Sequence, residues 1–162
     1  VIGVTGSIGK TTTKDVLAAC LAKRFRVHAT AGNYNNLIGL PLTILSAPAD
    51  TQMLVLEMGM NDFGEIARLT ACAQPTFAII TKVALAYRHA REPRGDRPRQ
   101  GRDSSGHASE CENFEGHHSA LVLHGEDDFT PLIIEKYARP RGIDVVLAGT
   151  RPMMTLCDPC RA

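Results

Sequence analysis

The chain of 162 residues contains no tryptophan, has only 5% aromatic residues, and carries no apolar run of membrane-spanning length. A helix that crosses a bilayer needs about 20 consecutive apolar residues, so a transmembrane helix is not expected. Excess charge is also missing. With 18 Lys+Arg against 17 Asp+Glu the net charge is +1, which gives no bulk electrostatic case for a nucleic-acid or membrane partner. Five cysteines, an odd number, lack the spacing of a disulfide scaffold, so reduced thiols are expected. Cys157-Asp158-Pro159-Cys160 has no second ligand pair, and neither a metal centre nor a redox role is expected of it. No secretory h-region precedes Val1, which opens directly on an apolar strand. The expectation is a cytoplasmic protein whose sequence starts within a longer one. What is present is 44% hydrophobic residues, enough for one ordinary domain with a real core.

The most informative stretch is Thr5-Gly6-Ser7-Ile8-Gly9-Lys10-Thr11-Thr12, placed between the apolar run Val1–Val4 and a helical pattern. Two glycines let backbone N–H groups turn inward around an anion. Lys10 can reach outer phosphates, the Thr11 hydroxyl can ligate Mg²⁺, and the helix that follows points its positive end at the site. The usual Gly-x-x-x-x-Gly-Lys-Ser/Thr spacing is broken, because Val4 stands where the first glycine belongs. A shorter form, Thr-Gly-x-x-Gly-Lys-Thr-Thr, remains.

The first eighty residues alternate strand and helix patterns. Leu17, Cys20, Leu21 and Phe25 recur at helical spacing, with Lys14, Lys23 and Arg24 off that stripe, and the helix is expected to end near Phe25. Arg26–Ala29 reads as a short strand, and Gly39–Leu45 as a second helix with Pro41 tolerated in its first turn. Met53–Leu56 is a strand closing on Glu57, Gly64–Cys72 a helix, and Phe77–Ile80 another strand. Strands apolar on both faces belong to parallel sheets covered by helices, so the fold class is α/β, doubly wound and mostly parallel. In such sheets ligands sit at the carboxyl ends of strands, where Thr5, Glu57 and Thr81 fall.

Two further blocks offer polar groups beside that loop. Asn33-Tyr34-Asn35-Asn36 places three asparagines in four residues between a strand and a helix. Without the phosphate loop nearby, it would read simply as a turn of αL-tolerant residues. Leu56-Glu57-Met58-Gly59-Met60 sets a single carboxylate just past a buried strand, where it can bind a cation beside phosphates.

Taken together, GSIGKTTTKD, HATAGNYNNLIGLPLTIL and LVLEMGMNDFGEIARL resemble the central ATP-binding domain of the Mur ligase family over residues 1–86, and within it the branch that adds D-Ala-D-Ala. The resemblance implies ATP and Mg²⁺ as cofactors, and UDP-MurNAc-tripeptide and D-Ala-D-Ala as substrates. It implies a monomer with amino- and carboxyl-terminal domains of the same enzyme on either side. The tripeptide carboxylate would attack the γ-phosphate of ATP, and the dipeptide amine would displace phosphate from the resulting acyl-phosphate. Thr5, Gly6, Ser7, Ile8, Gly9, Lys10, Thr11 and Thr12 would hold the nucleotide. Lys10 and Glu57 would be catalytic, Thr11 and Glu57 would meet the metal, and Asn33, Asn35 and Asn36 would lie on the nucleotide-sugar side. Another Mur ligase or a folylpolyglutamate synthase-like ligase would share the loop but need a different segment from Asn33 to Gly39.

Beyond Ile80-Thr81 the sequence departs from that pattern. Lys82 and Tyr87 stand where the family has Asn and a metal-binding His, and the family's Ala-Lys-Gly-Glu, with its carbamylated lysine, is absent. Up to Lys82 the basic residues are four Lys and three Arg, whereas Arg88–Arg102 holds six Arg and no Lys. That cluster is the basis of a rival reading as a nucleic-acid-binding segment, which the lack of interleaved aromatics and the neighbouring acids weaken. Synonymous codons for Tyr87–Gly106 can be chosen so that the neighbouring frame reads IGMLGSREAIARAKGEIVAG, which resembles the missing family helix. The expected organisation is thus residues 1–86 as the first part of the domain and 87–119 as a low-order, frame-shifted segment. Residues 120–150 would continue the domain, with a strand at Ala120–Leu123, a helix at Pro131–Arg139 and a strand at Ile143–Ala148. Residues 151–162 would be a disordered, frame-shifted tail, and the chain by itself is expected not to turn over.

Overall fold

The computed structural model describes residues 1–62, 64–83 and 120–149, together with the backbone of 154–156. The segment expected to be low in order, including the arginine cluster and Tyr87, lies outside the described residues.

Among the described residues, seven strands form one sheet in the order β2-β3-β1-β4-β5-β6-β7, parallel except at the last pair. The elements are β1 (Ile2–Thr5), α1 (Lys10–Leu21), β2 (Val27–Ala29), α2 (Gly39–Leu45), β3 (Met53–Glu57), α3 (Glu65–Ala73) and β4 (Phe77–Ile80). They continue with β5 (Ala120–His124), α4 (Thr130–Ile133), β6 (Asp144–Ala148) and β7 (Met154–Leu156). The chain runs outward from β1 to β2, returns to β3, then crosses to the other side of β1 for β4 to β6. This is the doubly wound arrangement, and its reversal of strand order falls beside β1.

Alternation along the strands sorts the core. Val55 packs with Ile2, Val4 and the Leu17, Ala18 and Leu21 side of α1, whereas Leu56 packs with Leu40, Ile66 and Leu69 from α2 and α3. Gly3 pairs with both Leu56 and Ala78, so Ala78 shares the α2 and α3 face; it packs there with Ile80, Leu121, Leu123, Ile133 and Tyr137. Every residue of β1 is buried, as its central place in a helix-covered parallel sheet requires.

Four details differ from the sequence reading. Helix α1 ends at Leu21 and reaches Phe25 only through turns, with Phe25 N–H on Leu21 O at 2.9 Å. Cys20 is exposed, so the buried stripe of α1 is narrower than the apolar spacing suggested. The single helix expected at Pro131–Arg139 is instead α4 followed by a wider turn at Ile134–Ala138 and a tighter one at Arg139–Arg141. Pro140, which lacks an N–H and clashes with the preceding turn, accounts for the loss of regular helix there. Finally, the tail expected to carry no element supplies β7, which pairs antiparallel with β6 and covers an otherwise open sheet edge.

Candidate functional site

The carboxyl ends of β1, β3 and β4 meet at one rim. Val4 pairs with both Glu57 and Ile79, and Thr5 with Ile80, so the phosphate-type loop leaves the sheet between the strand bearing Glu57 and the strand leading to Thr81. Gly6 adopts φ 128° and Gly9 φ 90°, the left-handed region that side chains other than glycine rarely occupy. A Cβ on Gly6 would lie 2.2 Å from Thr81 Oγ1, so close approach requires glycine there as well.

Thr81 and Lys82 fasten this loop from outside. The Thr81 hydroxyl lies 3.1 Å from Thr5 O and 2.7 Å from Ile8 O, while Lys82 O accepts the N–H groups of Ser7 at 2.9 Å and Ile8 at 3.3 Å. The contact at Lys82 uses only the backbone carbonyl, which any residue supplies. A lysine in place of the family's asparagine therefore leaves this brace intact. Behind the loop, the first helical bond of α1 runs from Thr13 N–H to Gly9 O, so the amides of Lys10, Thr11 and Thr12 stand at the open, positive end of the helix. Lys10 Nζ donates to Gly6 O at 2.8 Å and is drawn back over the loop.

Glu57 faces the same rim and is 2% exposed. Its Oε1 accepts Asn35 Nδ2 at 2.8 Å, whereas Oε2 is buried with no hydrogen-bond partner among the described residues. The backbone of Glu57 is held separately, its N–H donating to Thr30 Oγ1 at 2.9 Å. Gly59 N–H donates to Asn35 O at 2.7 Å, and a Cβ on Gly59 would press on the Asn35 amide at 3.0 Å.

The residues singled out in the sequence thus fall into three groups. Gly6 to Thr12, Glu57 and Asn35 come together at the rim. Thr5 is there too, but its hydroxyl is bonded to Met58 O at 3.0 Å, tying β1 to the end of β3. Asn36 Oδ1 accepts Ile38 N–H at 3.0 Å and Gly39 N–H at 2.8 Å, which secures the turn into α2, while Asn33 is exposed. Two residues were missed: Thr30, and Lys14, which is buried rather than on the solvent side. A signal for Lys14 existed, since it follows Lys10 by four residues and so shares its helix face.

Comparison with known proteins fits this geometry. The model of the Mur ligase middle domain matches residues 4–87, more than half of the chain. The chain belongs to the Mur ligase family. A Bacillus subtilis relative, UDP-N-acetylmuramoyl-tripeptide–D-alanyl-D-alanine ligase, is 58% identical over 87 residues, covering 54% of this chain and 19% of the relative. This Mur ligase domain also resembles MurF from Acinetobacter baumannii, with a TM-score of 0.75 and 31% identity over 91% of this chain and 32% of that one. A third similar structure is MurF ligase from Thermotoga maritima in complex with ADP, with a TM-score of 0.71 and 29% identity over 94% of this chain and 33% of that one. The chain therefore spans about a fifth of the length of its curated relative.

Proposed function

We propose that this Mur ligase chain is the nucleotide-binding core of an ATP-dependent amide ligase acting in the cytoplasm. The reading is that it joins D-Ala-D-Ala to UDP-MurNAc-tripeptide through an acyl-phosphate. The observation that carries it is the buried Glu57 carboxylate, with one oxygen held by Asn35 and the other without a partner among the described residues, at the rim that also bears the loop and the start of α1.

An unpartnered buried carboxylate oxygen costs folding free energy unless a cation meets it, and a hard oxygen donor suits Mg²⁺. The residues present therefore fit the ion, with Glu57 Oε2 and the Thr11 hydroxyl as the groups that would hold it. When bound, Mg²⁺ neutralises charge on the transferring phosphoryl group. The amides of Lys10, Thr11 and Thr12 would bind phosphate oxygens. Lys10 Nζ would exchange Gly6 O for the outer phosphate and stabilise charge as it develops there. Asn33 and Asn36 would lie on the side of the nucleotide-sugar substrate.

ATP affinity measured by titration in the presence of Mg²⁺ tests the site. The chain should bind, Lys10→Ala should bind at least about tenfold more weakly, and phosphate release with all substrates should stay at background for this polypeptide alone. Superimposable titration curves for the two proteins would overturn the assignment of the loop.

A further inference from the structure

Among the described residues, Lys14 is the one lysine that is buried, at 4% exposure, and nothing in the phosphate chemistry uses it. Its ammonium donates to Thr30 O at 2.7 Å and lies 2.9 Å from Asp15 Oδ1, whose side chain is 66% exposed. Withdrawing an ammonium from water is costly, and a surface aspartate returns little. A methionine would fill the same space without that cost, so packing alone gives no reason for a lysine.

The acceptor is more telling. Thr30, 2% exposed, directly follows β2; its N–H donates to Val55 O at 3.0 Å and its Oγ1 accepts the N–H of Glu57 at 2.9 Å. Two hydrogen bonds, one accepted by the carbonyl of Thr30 and one by its hydroxyl, thus link Lys14 in the second turn of α1 through Thr30 to the backbone of Glu57. That helix is the one whose first turn presents the phosphate-binding amides.

We propose that Lys14 is a positioning residue which, through Thr30, fixes Glu57 relative to the start of α1. This rests on the nucleotide and Mg²⁺ reading above. Lys14 and Thr30 set where Glu57 stands, and Asn35 sets which way its carboxylate turns. The cation ligand and the phosphate-binding helix then keep one mutual geometry, so the path should govern how much Mg²⁺ improves ATP binding while leaving metal-free binding to the loop untouched.

The experiment compares ATP affinity with MgCl₂ and with EDTA for the unmodified chain, Lys14→Met, Thr30→Val and the double variant. Groups that orient a metal ligand typically contribute about 10–100-fold in metal affinity. Each single variant should therefore lose about tenfold of the Mg²⁺-dependent gain, with affinity in EDTA changed less than about twofold. The double variant should lose little more than either single one, because both cut the same path. Should Lys14→Met fail to fold, Thr30→Val decides the matter, since it keeps both the side-chain shape and the carbonyl that Lys14 uses. An unchanged Mg²⁺ gain in Thr30→Val, or an equal loss with and without Mg²⁺, overturns the positioning role. Absence of any Mg²⁺-dependent binding by the unmodified chain overturns the nucleotide reading itself, a result distinct from the other two.

Discussion

Replacing Glu57 by glutamine separates stability from cation binding in a way the geometry makes quantitative. The amide keeps an oxygen to accept Asn35 Nδ2, the bond that spans 2.8 Å in the native chain, and exchanges the unpartnered, buried Oε2 for a neutral nitrogen. A buried charged group without a partner costs more than a buried neutral one, so Glu57→Gln without ligand should be as stable as the native chain, or more stable by up to about 2 kcal/mol. The ligand response should move the other way. At a ligand concentration one hundred times Kd, binding stabilises by about 2.7 kcal/mol. For a domain of this size each kcal/mol raises Tm by roughly 2–4 °C, so Mg²⁺ with ATP should raise the native Tm by roughly 5–11 °C. Loss of the carboxylate should weaken binding at least about tenfold, which leaves at most about 1.4 kcal/mol, or roughly 3–6 °C. Thermal melts of both proteins, alone, with ATP and EDTA, and with ATP and Mg²⁺, give all the needed comparisons. A loss of more than about 2 kcal/mol in the absence of ligand would show that Oε2 is satisfied by the protein itself. An undiminished Mg²⁺ response would remove Glu57 from the cation site.

Gly6→Ala should cost about 2–4 kcal/mol, because it forces a side chain into φ 128° and drives a Cβ to within 2.2 Å of Thr81 Oγ1, breaking the hydroxyl bonds that close the loop. Denaturant unfolding measures this, and adding Thr81→Ala should return the steric part but not the backbone part. Asn36→Ala should lower stability by about 1–2 kcal/mol in the absence of any ligand, since its Oδ1 accepts the N–H groups of both Ile38 and Gly39. A variant that melts like the native chain would leave Asn36 with a purely substrate-facing role.

The doubly wound fold was legible because parallel strands buried on both faces read as short, wholly apolar runs, as in Met53–Leu56 and Phe77–Ile80. The loop was legible because glycine, lysine and threonine at that spacing serve few other purposes. Element ends were less so: the apolar spacing through Cys20 and Phe25 suggested a longer buried stripe than α1 presents, and β7 followed from an edge that only the assembled sheet creates.

By itself, then, the sequence determined the class of sheet, the glycine-rich loop between β1 and α1, and Glu57 as a carboxylate at a strand end. These depend on local pattern and on chemistry that residue identity already carries. Tertiary structure decided what those groups do to one another. It brought Asn35 onto Glu57 across 22 positions, left Oε2 without a partner, braced the loop through the Lys82 carbonyl, and turned Lys14 inward to Thr30. The reason is physical: which oxygen is satisfied, and which cation is buried, depends on distances between strands set by the packing of the whole sheet, and no local spacing encodes them.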